Sequence, residues 1–304
     1  MKLNQLEIFC KIVELGSFSK AAEVLKLSQP TLSGHIQSLE EQSGIILLDR
    51  LGRKVLPTRA GDMLYLYARK IIRLQREAEQ KLLSLKGELK GDLLVGASTI
   101  PGEYIIPPLI KEFRDTYSDI LIRLSIYDTK KVIENILHDE IELGIAGAKV
   151  DDPKLEYNRF VKDELVLVSR SNAPWAKQRS ITFEKLKEIP FISREEGSGT
   201  RMIMEKTLKR QGFDVAQLHT VMTLGSTTAV IQAIKSGVGC SIVSLRSVRE
   251  DMDKRILKPI PIKNTKFTRD FYLINRRGKT PSSLCQVFFD YLQKKSKMTN
   301  HSLH

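Results

Sequence analysis

Small polar side chains stand where predicted strands give way to predicted helices in this chain of 304 residues. A helix start presents free backbone N–H groups, and neighbouring hydroxyls can donate further hydrogen bonds, so such places favour negatively charged ligands. In an open α/β sheet, these places meet beyond the carboxyl ends of the strands. The candidate ligand-binding residues are Ser98, Thr99, Ile100, Thr129, Ser198, Gly199, Thr200, Arg201, Ser226 and Thr227.

The ligand that this pattern predicts is a small anion or a carboxylate-bearing metabolite, with Arg201 as the assisting cation. Each helix start contributes about 0.3–1 kcal/mol, and each hydrogen bond to a charged group about 1.5–3 kcal/mol. Binding therefore requires no buried lysine. The alternative is that these serines and threonines serve only as helix N-caps.

Patterns typical of catalysis are weak. The segment GSGTRM at residues 197–202 lacks the third glycine of a dinucleotide fingerprint and the lysine of a phosphate-binding loop. The five histidines form no HExxH pattern, and no G-x-S-x-G elbow occurs. We therefore expect no enzyme, metal site or cofactor. The alternative kept open is a small-molecule-binding or enzymatic α/β protein with no DNA role.

Residues 17–60 predict a second functional unit, in which two short helices, a tight turn and a basic hairpin follow one another. Ser19 is the predicted N-cap of the first helix. Ser28 is the predicted cap of the second helix, with Pro30 in its first turn and Gly44 at its end. This order matches a helix-turn-helix.

The second of these helices has an apolar face and a small, polar face. Leu32, Ile36 and Leu39 fall together and should face the core, while Gly34 on the far side allows close approach to base edges. Predicted strands at 45–48 and 54–56 form a wing whose basic tip suits phosphate or minor-groove contact. The predicted DNA-binding residues are Ser28, Gln29, Pro30, Thr31, Ser33, Gly34, His35, Gln37, Arg50, Arg53 and Lys54.

A long helix is predicted from about residue 59 to 85 or 86, with Thr58 as its cap. Its apolar residues recur at alternating steps of three and four, which is typical of a coiled-coil seam. The seam residues are Leu64, Tyr67, Ile71, Leu74, Ala78 and Leu85. We expect a homodimer that reads a roughly palindromic DNA site; the alternative is that this helix packs on its own chain.

The formal net charge of +13 is spread along the chain, so by itself it indicates only general affinity for polyanions. No apolar run is long enough to span a membrane, and the N-terminal residues lack the apolar region of a signal peptide. We therefore expect a cytoplasmic protein. Cys10, Cys240 and Cys285 show neither disulfide nor zinc spacing and are interpreted as reduced packing residues rather than redox sensors.

Beyond a polar hinge, strands and helices alternate in the rhythm of a doubly wound α/β domain. Strands are predicted at 92–97, 120–127, 141–147, 164–169, 191–193, 218–222, 240–243 and 267–275. One helix is predicted to end near residue 117, and the others are predicted at 130–138, 200–211, 227–235 and 282–293. Two such halves predict a two-lobed domain with a cleft.

The N-terminal residues resemble the LysR-type transcriptional regulator family at many fixed spacings. The matching residues are Leu6, Phe9, Gly16, Ser17, Phe18, Ala21, Ala22, Leu27, Gln29, Pro30, Leu32, Ser33, Ile36, Leu39, Glu40, Gly44, Leu48, Arg50, Thr58 and Gly61. Gly34 departs from the family, because many members carry a long polar side chain there. The motif GSGTR at 197–201, with Ser98 and Thr99, resembles the branch that regulates sulfur and related inorganic assimilation.

The resemblance implies a winged helix-turn-helix, a linker helix and a two-lobed α/β effector domain of periplasmic-binding-protein type. It implies that Gln29, Thr31 and Ser33 read the major groove, that dimers pair into tetramers, and that RNA polymerase is a partner. The expected boundaries are 1–58 for the DNA-binding domain, 59–89 for the linker helix and hinge, 90–297 for the effector domain and 298–304 for a disordered tail. Lobe I is expected at about 90–163 and 266–297, and lobe II at about 164–265.

Overall fold

A computed structural model describes residues 1–51, 54–85 and 89–301 of the chain. The chain folds as two compact units, Met1–Glu88 and Leu89–His304. None of the helices in the described ranges is both long and apolar enough to cross a membrane.

The first unit is mostly helical. Its elements are α1 (Leu3–Leu15), α2 (Phe18–Leu25), α3 (Gln29–Ser43), β1 (Leu48–Leu51), β2 (Lys54–Pro57) and α4 (Arg59–Leu85). The core lies among α1, α2, α3 and the start of α4, where Phe9, Ile12 and Leu32 are almost completely buried. Burial of each such side chain stabilises the unit by about 1.5–3 kcal/mol.

The first helix of the predicted pair begins earlier than expected. Ser17, and not Ser19, is the N-cap of α2, and its hydroxyl accepts a hydrogen bond from the Lys20 N–H. Starting at Phe18 brings Phe18, Ala21 and Ala22 onto one buried face at helical spacing. The predicted cap at Ser19 is therefore wrong, because Phe18 must lie inside the helix to reach the core.

The first strand of the wing begins later in the sequence than predicted. Strands β1 and β2 are antiparallel, with Leu48 opposite Pro57 and Leu51 opposite Lys54. Ile45 and Ile46, expected in the first strand, precede it and are exposed. Burial of Leu47 and Leu48 explains the shift, since these side chains join the core of the unit.

Helix α4 begins as predicted, with the Thr58 hydroxyl accepting a hydrogen bond from the Gly61 N–H. One face packs on α1, where Ala68 and Ile72 are buried and Leu64 is half-buried. Other apolar side chains of α4 remain exposed, namely Met63, Leu66, Tyr67, Ile71, Leu74 and Leu82. Part of the predicted seam therefore packs within its own unit, and part is exposed to solvent. The Leu85 side chain lies outside the described residues.

The second unit is a two-lobed α/β domain. Its strands are β3 (Gly91–Ser98), β4 (Ile120–Tyr127), β5 (Leu143–Ala146), β6 (Leu155–Arg170), β7 (Phe191–Arg194), β8 (Thr220–Leu224), β9 (Ser241–Ser244), β10 (Leu257–Pro259) and β11 (Phe267–Arg276). Its helices are α5 (Ile106–Thr116), α6 (Thr129–Leu137), α7 (Phe183–Glu188), α8 (Gly199–Arg210), α9 (Thr227–Lys235), α10 (Leu245–Asp253) and α11 (Ser283–His301), with a π-helical turn at Pro101–Ile105.

Two long strands connect the lobes. In the first lobe the order is β6-β11-β5-β3-β4, with β3 parallel to both β4 and β5. In the second lobe, β6 pairs with β9 and β10, and β7 pairs with β8 in parallel. Strands β6 and β11 are antiparallel to each other, so the doubly wound pattern is interrupted at the crossing between the lobes.

Several helices and strands of the second unit differ in length or position from the prediction. Strand β6 has 16 residues, whereas the sequence predicted only its second part, because the first part alternates with polar side chains and lacks an apolar run. Helices α7 and α10 and strand β10 were not predicted. Helix α11 continues to His301, so the tail predicted to be disordered from 298 is helical to that residue; 302–304 lie outside the described residues.

Candidate functional site

Most of the predicted DNA-binding residues lie on the exposed face of α3 or at its N-cap. Ser28 caps the helix, and its hydroxyl accepts a hydrogen bond from the Thr31 N–H at 3.2 Å. Leu32, Ile36 and Leu39 are buried in the unit as predicted. The helix is thereby fixed with its small, polar side turned away from the core.

Most of the predicted contact residues on this surface are open to solvent. Ser28, Gln29, Pro30, Thr31, Gly34, Gln37 and Lys54 are exposed, and Ser33 and His35 are half-buried. Arg50 lies in β1, but its side chain is outside the described residues, as is the whole of Arg53. A Cβ added at Gly34 would meet nothing within 4 Å, so the space beside this glycine is open.

Local hydrogen bonds orient the start of α3. The hydroxyl oxygens of Ser28 and Thr31 lie 2.7 Å apart, and the Ser19 hydroxyl donates to the Gln29 side-chain carbonyl at 3.2 Å. Ser19, expected to be a cap, thus positions a predicted base-contacting residue. Preorganised side chains lose less conformational entropy on binding.

Glu40 joins α3 to the wing. Its carboxylate accepts hydrogen bonds from the backbone N–H groups of Leu47 at 2.7 Å and Leu48 at 3.2 Å. The first strand of the wing is therefore anchored to the helix that carries the polar face. A rigid connection of this kind fixes where the wing lies relative to α3.

The second unit contains a small cavity between its lobes, which we call the effector cavity. It is lined by Ser98, Thr99, Ile100, Asp128, Thr129, Arg194, Ser198, Gly199, Thr200 and Arg269. Seven of the ten predicted ligand-binding residues are therefore brought together. The carboxyl end of β3 and the starts of α6 and α8 meet here, as expected for an open α/β sheet.

Three predicted residues do not line the effector cavity. Ser226 caps α9 through the Ala229 N–H, which agrees with the alternative that it is only an N-cap. Thr227 lies behind the cavity and accepts a hydrogen bond from Arg194 at 2.6 Å. Arg201 points elsewhere, with Nε donating to Glu205 at 2.7 Å and Nη1 donating to the Arg194 carbonyl.

Arg194 and Arg269 are the cations of the effector cavity, and the sequence did not single them out. Arg194 donates to both carboxylate oxygens of Glu195, at 2.7 and 2.6 Å. Arg269 is held by Asp163, with Nε at 2.9 Å and Nη2 at 2.8 Å from the same oxygen. Its Nη1 donates to the Thr200 hydroxyl at 3.2 Å.

Burial shapes the electrostatics of Arg269. Desolvation lowers the pKa of Arg269 from its usual value, and the charge of Asp163 opposes that shift. A buried guanidinium is costly unless it is paired and hydrogen-bonded. Asp163 therefore offsets part of the cost of burying the Arg269 guanidinium beside the effector cavity.

Two buried polar atoms at this cavity have no hydrogen-bond partner in the described residues, the Thr129 hydroxyl and Nη2 of Arg269. The short approach of Nη2 to Asp163 brings the charges together without hydrogen-bond alignment. An unsatisfied buried polar group costs about 1–3 kcal/mol. An anion in the cavity would supply the acceptor that the Thr129 hydroxyl lacks.

The cavity is small, with a volume of about 10 Å³, roughly what one water molecule requires. The Lys130 N–H donates to the Gly197 carbonyl at 3.4 Å across the lobes, and the Thr228 hydroxyl donates to Glu103 at 3.4 Å. This volume is too small for a metabolite unless the lobes move apart. No group of three or more His, Cys, Asp or Glu within the described ranges could hold a metal ion.

The sequence did contain a weak indication that Arg269 is a functional residue. Phe267, Phe271 and Leu273 alternate as buried residues along β11, and Arg269 occupies the same face. A charged residue at an inward position of a strand requires a buried partner or a ligand. Arg194 likewise ends a strand whose four residues are all buried.

Comparisons with known families agree with both units. The sequence model described as "Bacterial regulatory helix-turn-helix protein, lysR family" matches residues 3–62. The one described as "LysR substrate binding domain" matches residues 86–297.

Curated relatives match along almost the whole chain. A probable RuBisCO transcriptional regulator of Cyanidium caldarium is 34% identical over 291 residues, covering 94% of this chain and 91% of the relative. A RuBisCO operon transcriptional regulator of Allochromatium vinosum is 33% identical over 293 residues, which cover 96% of this chain and 95% of that relative. Neither name refers to sulfur assimilation, and the narrower branch stays a prediction.

Solved structures match the fold. The regulatory domain of CcmR from Synechocystis PCC6803, in complex with 2-PG, has a TM-score of 0.63 and 29% identity, covering 68% of this chain and 98% of that one. Full-length CbnR complexed with target DNA has a TM-score of 0.73 and 20% identity, and the match covers 97% of this chain and 99% of that one. The chain belongs to the LysR family and is a DNA-binding transcriptional regulator with a two-lobed effector domain.

Proposed function

We propose that α3 reads promoter DNA in the major groove through Gln29, Thr31 and Ser33, and that the wing contacts the flanking phosphates through Arg50, Arg53 and Lys54. The observation that supports this assignment is the exposed, small and polar face of α3, fixed by three buried apolar residues on the opposite side. Short side chains let the helix approach base edges, where hydroxyl and amide groups donate and accept hydrogen bonds.

We propose that the ligand of the effector cavity is a small carboxylate- or phosphate-bearing anion. The Thr129 hydroxyl, which has no hydrogen-bond partner in the described residues, and the guanidinium groups of Arg194 and Arg269 that line the cavity support this class. The CcmR regulatory domain, similar in fold and 29% identical, is described in complex with 2-PG. That compound is therefore the first effector to test on this chain.

Ligand binding requires the lobes to move apart, because the cavity between them holds only about 10 Å³. We infer that the effector changes how the lobes pack, and that this change alters promoter bending or occupancy. A coupling of about 1–3 kcal/mol, typical of allostery, would change affinity about 5- to 150-fold. The effector needs only to prefer one arrangement of the lobes by that amount.

The exposed apolar side chains of α4 support a homodimer, because a second copy of this helix would cover them. We keep the tetramer and the contact with RNA polymerase as proposals, together with a cytoplasmic location and a role that includes no catalysis. The domain boundaries near residues 58 and 89 are likewise our proposal. The division of the fold between Glu88 and Leu89 supports the second of them.

Two sets of variants test these assignments on the full-length protein. Replacing Gln29, Thr31 and Ser33 together by alanine should weaken sequence-specific binding by about 1–3 kcal/mol for each good base contact. Affinity for 2-PG, measured by calorimetry, should not change. The first DNA to use is a promoter upstream of RuBisCO genes, as the names of the relatives indicate, and an unchanged footprint would rule out the α3 assignment.

The effector assignment is tested by Thr99→Val, which removes one hydroxyl from the cavity while preserving side-chain shape. We expect the DNA response to 2-PG to be lost while DNA binding without ligand persists. The matched control is Thr223→Val, on an exposed position of β8. An equal response in the two variants would overturn the assignment of Thr99.

A further inference from the structure

A second, larger cavity lies beside the crossing strands of the effector domain, and we call it the hinge cavity. Its volume is about 860 Å³, within the range of about 300–1,000 Å³ typical of small-molecule sites. Lys162, Arg246 and Arg249 line it together with Tyr104 and Thr268. Tyr104 comes from the π-helical turn, an irregularity that is frequent at functional sites.

Positive charge is in excess on this surface. Of the acidic residues that line the hinge cavity, Asp163 pairs with Arg269 and Asp270 lies 3.4 Å from Arg159. Glu164 is then the remaining carboxylate against the cations Lys162, Arg246 and Arg249. The balance favours an anionic occupant.

Arg246 and Arg249 are three residues apart on the first turns of α10, so both side chains lie on one face of that helix. Arg249 is exposed and makes no ion pair or side-chain hydrogen bond among the described residues. Arg246 is held loosely, with Nη2 donating to the Lys162 carbonyl at 3.2 Å and Nε 3.6 Å from Asp163. Two guanidinium groups on one helix face can bind a dianion bidentately.

Asp163 connects this cavity to the effector cavity. One of its oxygens accepts from Ser244 at 2.7 Å and lies near Arg246, while the other binds Arg269. Arg269 in turn donates to Thr200. A continuous line of polar contacts therefore runs from α10, through a completely buried carboxylate, to the start of α8.

We propose that the hinge cavity is a second ligand site, which binds a small dianion such as a phosphomonoester or a dicarboxylate through Arg246 and Arg249, and that its occupancy opposes binding in the effector cavity. An anion that draws Arg246 away leaves Asp163 with Arg269 as its principal counter-charge. Arg269 is then held more firmly by Asp163 and is less available to a ligand beside Thr200. Repulsion between two anions acts in the same direction.

Inorganic phosphate and succinate are the probes for the test, added to the full-length protein at constant ionic strength. Thermal unfolding and calorimetry should show binding of at least one of them, since a ligand stabilises the folded state by mass action. Arg249→Gln should weaken this binding about tenfold or more. Arg210→Gln, which removes the same charge from an exposed position outside both cavities, should leave it unchanged.

Thr99→Val identifies which cavity the probe occupies. Binding that persists in Thr99→Val and is lost in Arg249→Gln supports the hinge cavity. The opposite pattern places the probe in the effector cavity and overturns the proposal. Equal binding by Arg249→Gln and the wild-type protein, or no binding of either probe, also overturns it.

The coupling is measured by titrating 2-PG with and without the probe. We expect the apparent affinity for 2-PG to fall several-fold with the probe in the wild-type protein and to stay constant in Arg249→Gln. Equal or tighter 2-PG binding with the probe overturns the predicted opposition. If 2-PG does not bind at all, the effector assignment fails, but the Arg249→Gln comparison still decides the hinge cavity.

Discussion

Gly199 and Thr129 belong to opposite lobes and lie so close that a Cβ on Gly199 would be 2.5 Å from the Thr129 hydroxyl oxygen. Real Cβ atoms essentially never approach another atom so closely. Gly199 is also the first residue of α8, beside the cap Ser198. The closed arrangement of the effector cavity therefore depends on the absence of a side chain at this position.

Gly199→Ala should prevent the lobes from closing fully. Overpacking of this kind costs about 1–3 kcal/mol, and we expect the variant to unfold at a lower temperature and to lose the DNA response to the effector. Gly225→Ala is the matched control, because a Cβ there would meet nothing within 4 Å. A double variant with Thr129→Ala should recover part of the lost stability, and failure to do so would argue against this contact.

Gly34→Ala should separate stability from DNA binding. Alanine is favoured over glycine in a helix by up to about 1 kcal/mol, and the added methyl group meets open space, so the DNA-binding unit should become more stable. If α3 approaches the bases at Gly34, DNA affinity should fall about tenfold, or about 1.4 kcal/mol. Unchanged affinity in an anisotropy titration would show that this residue stays away from the groove.

Gly44→Ala, at the C-cap of the same helix, provides the contrasting control. A Cβ would also meet open space there, but the backbone is left-handed, with φ at +69°. A left-handed conformation costs a residue with a side chain about 1–2 kcal/mol. This variant should therefore destabilise the unit, opposite in sign to Gly34→Ala.

Leu74→Lys should weaken self-association through α4. Leu74 is 56% exposed, so a lysine is tolerated in a single chain, but a partner helix that covers this position would have to bury its charge. Analytical ultracentrifugation should show a shift towards smaller species. Glu79→Lys, another exposed position of α4, is the comparison, and equal dissociation of the two variants would contradict a seam at Leu74.

The thiols should be inert in the folded protein near neutral pH. All three cysteines are buried and free, and burial raises the pKa of Cys10 and of Cys240 to about 12. Because the thiolate is the reactive form, thiol reagents at pH 8 should label the protein only after denaturation. Rapid labelling of one cysteine in the folded protein would contradict this prediction and support the alternative that this cysteine is a redox sensor.

The same pKa shifts predict how stability depends on pH. The folded-state pKa lies above the ordinary value of 9.0, so the contribution of these thiols is fully present below about pH 9. It is lost as pH rises towards about 12, since deprotonation favours the unfolded chain. Denaturant titrations across this interval measure the loss.

Local sequence rules predicted the ends of α3 and its buried face. Ser28, Pro30 and Gly44 set the ends of α3, and Leu32 and its neighbours set which face is buried. These features depend on residues within one or two turns of one another, so a helical wheel is sufficient to find them. The cap of α2 was missed because packing of Phe18 decided it.

The ligand-binding candidates were predicted by their type and their position after strands, and seven of them meet in one cavity. The cations were not predicted. Arg201 stood next to the hydroxyls in the sequence, but it pairs with Glu205 one turn further along α8. Arg269 lies 69 residues from Thr200 and 106 from Asp163 along the chain.

The sequence by itself determined the ends of α3, its buried and exposed faces, the broad alternation of strands and helices, and the family. Those properties follow from steric limits, hydrogen bonding and hydrophobic spacing among near neighbours. Only the tertiary structure decided that Arg269 binds Asp163 between two cavities and that Gly199 lies against Thr129. Such contacts arise where β6 and β11 cross between the lobes, and no periodicity within a single segment records which distant residues will meet there.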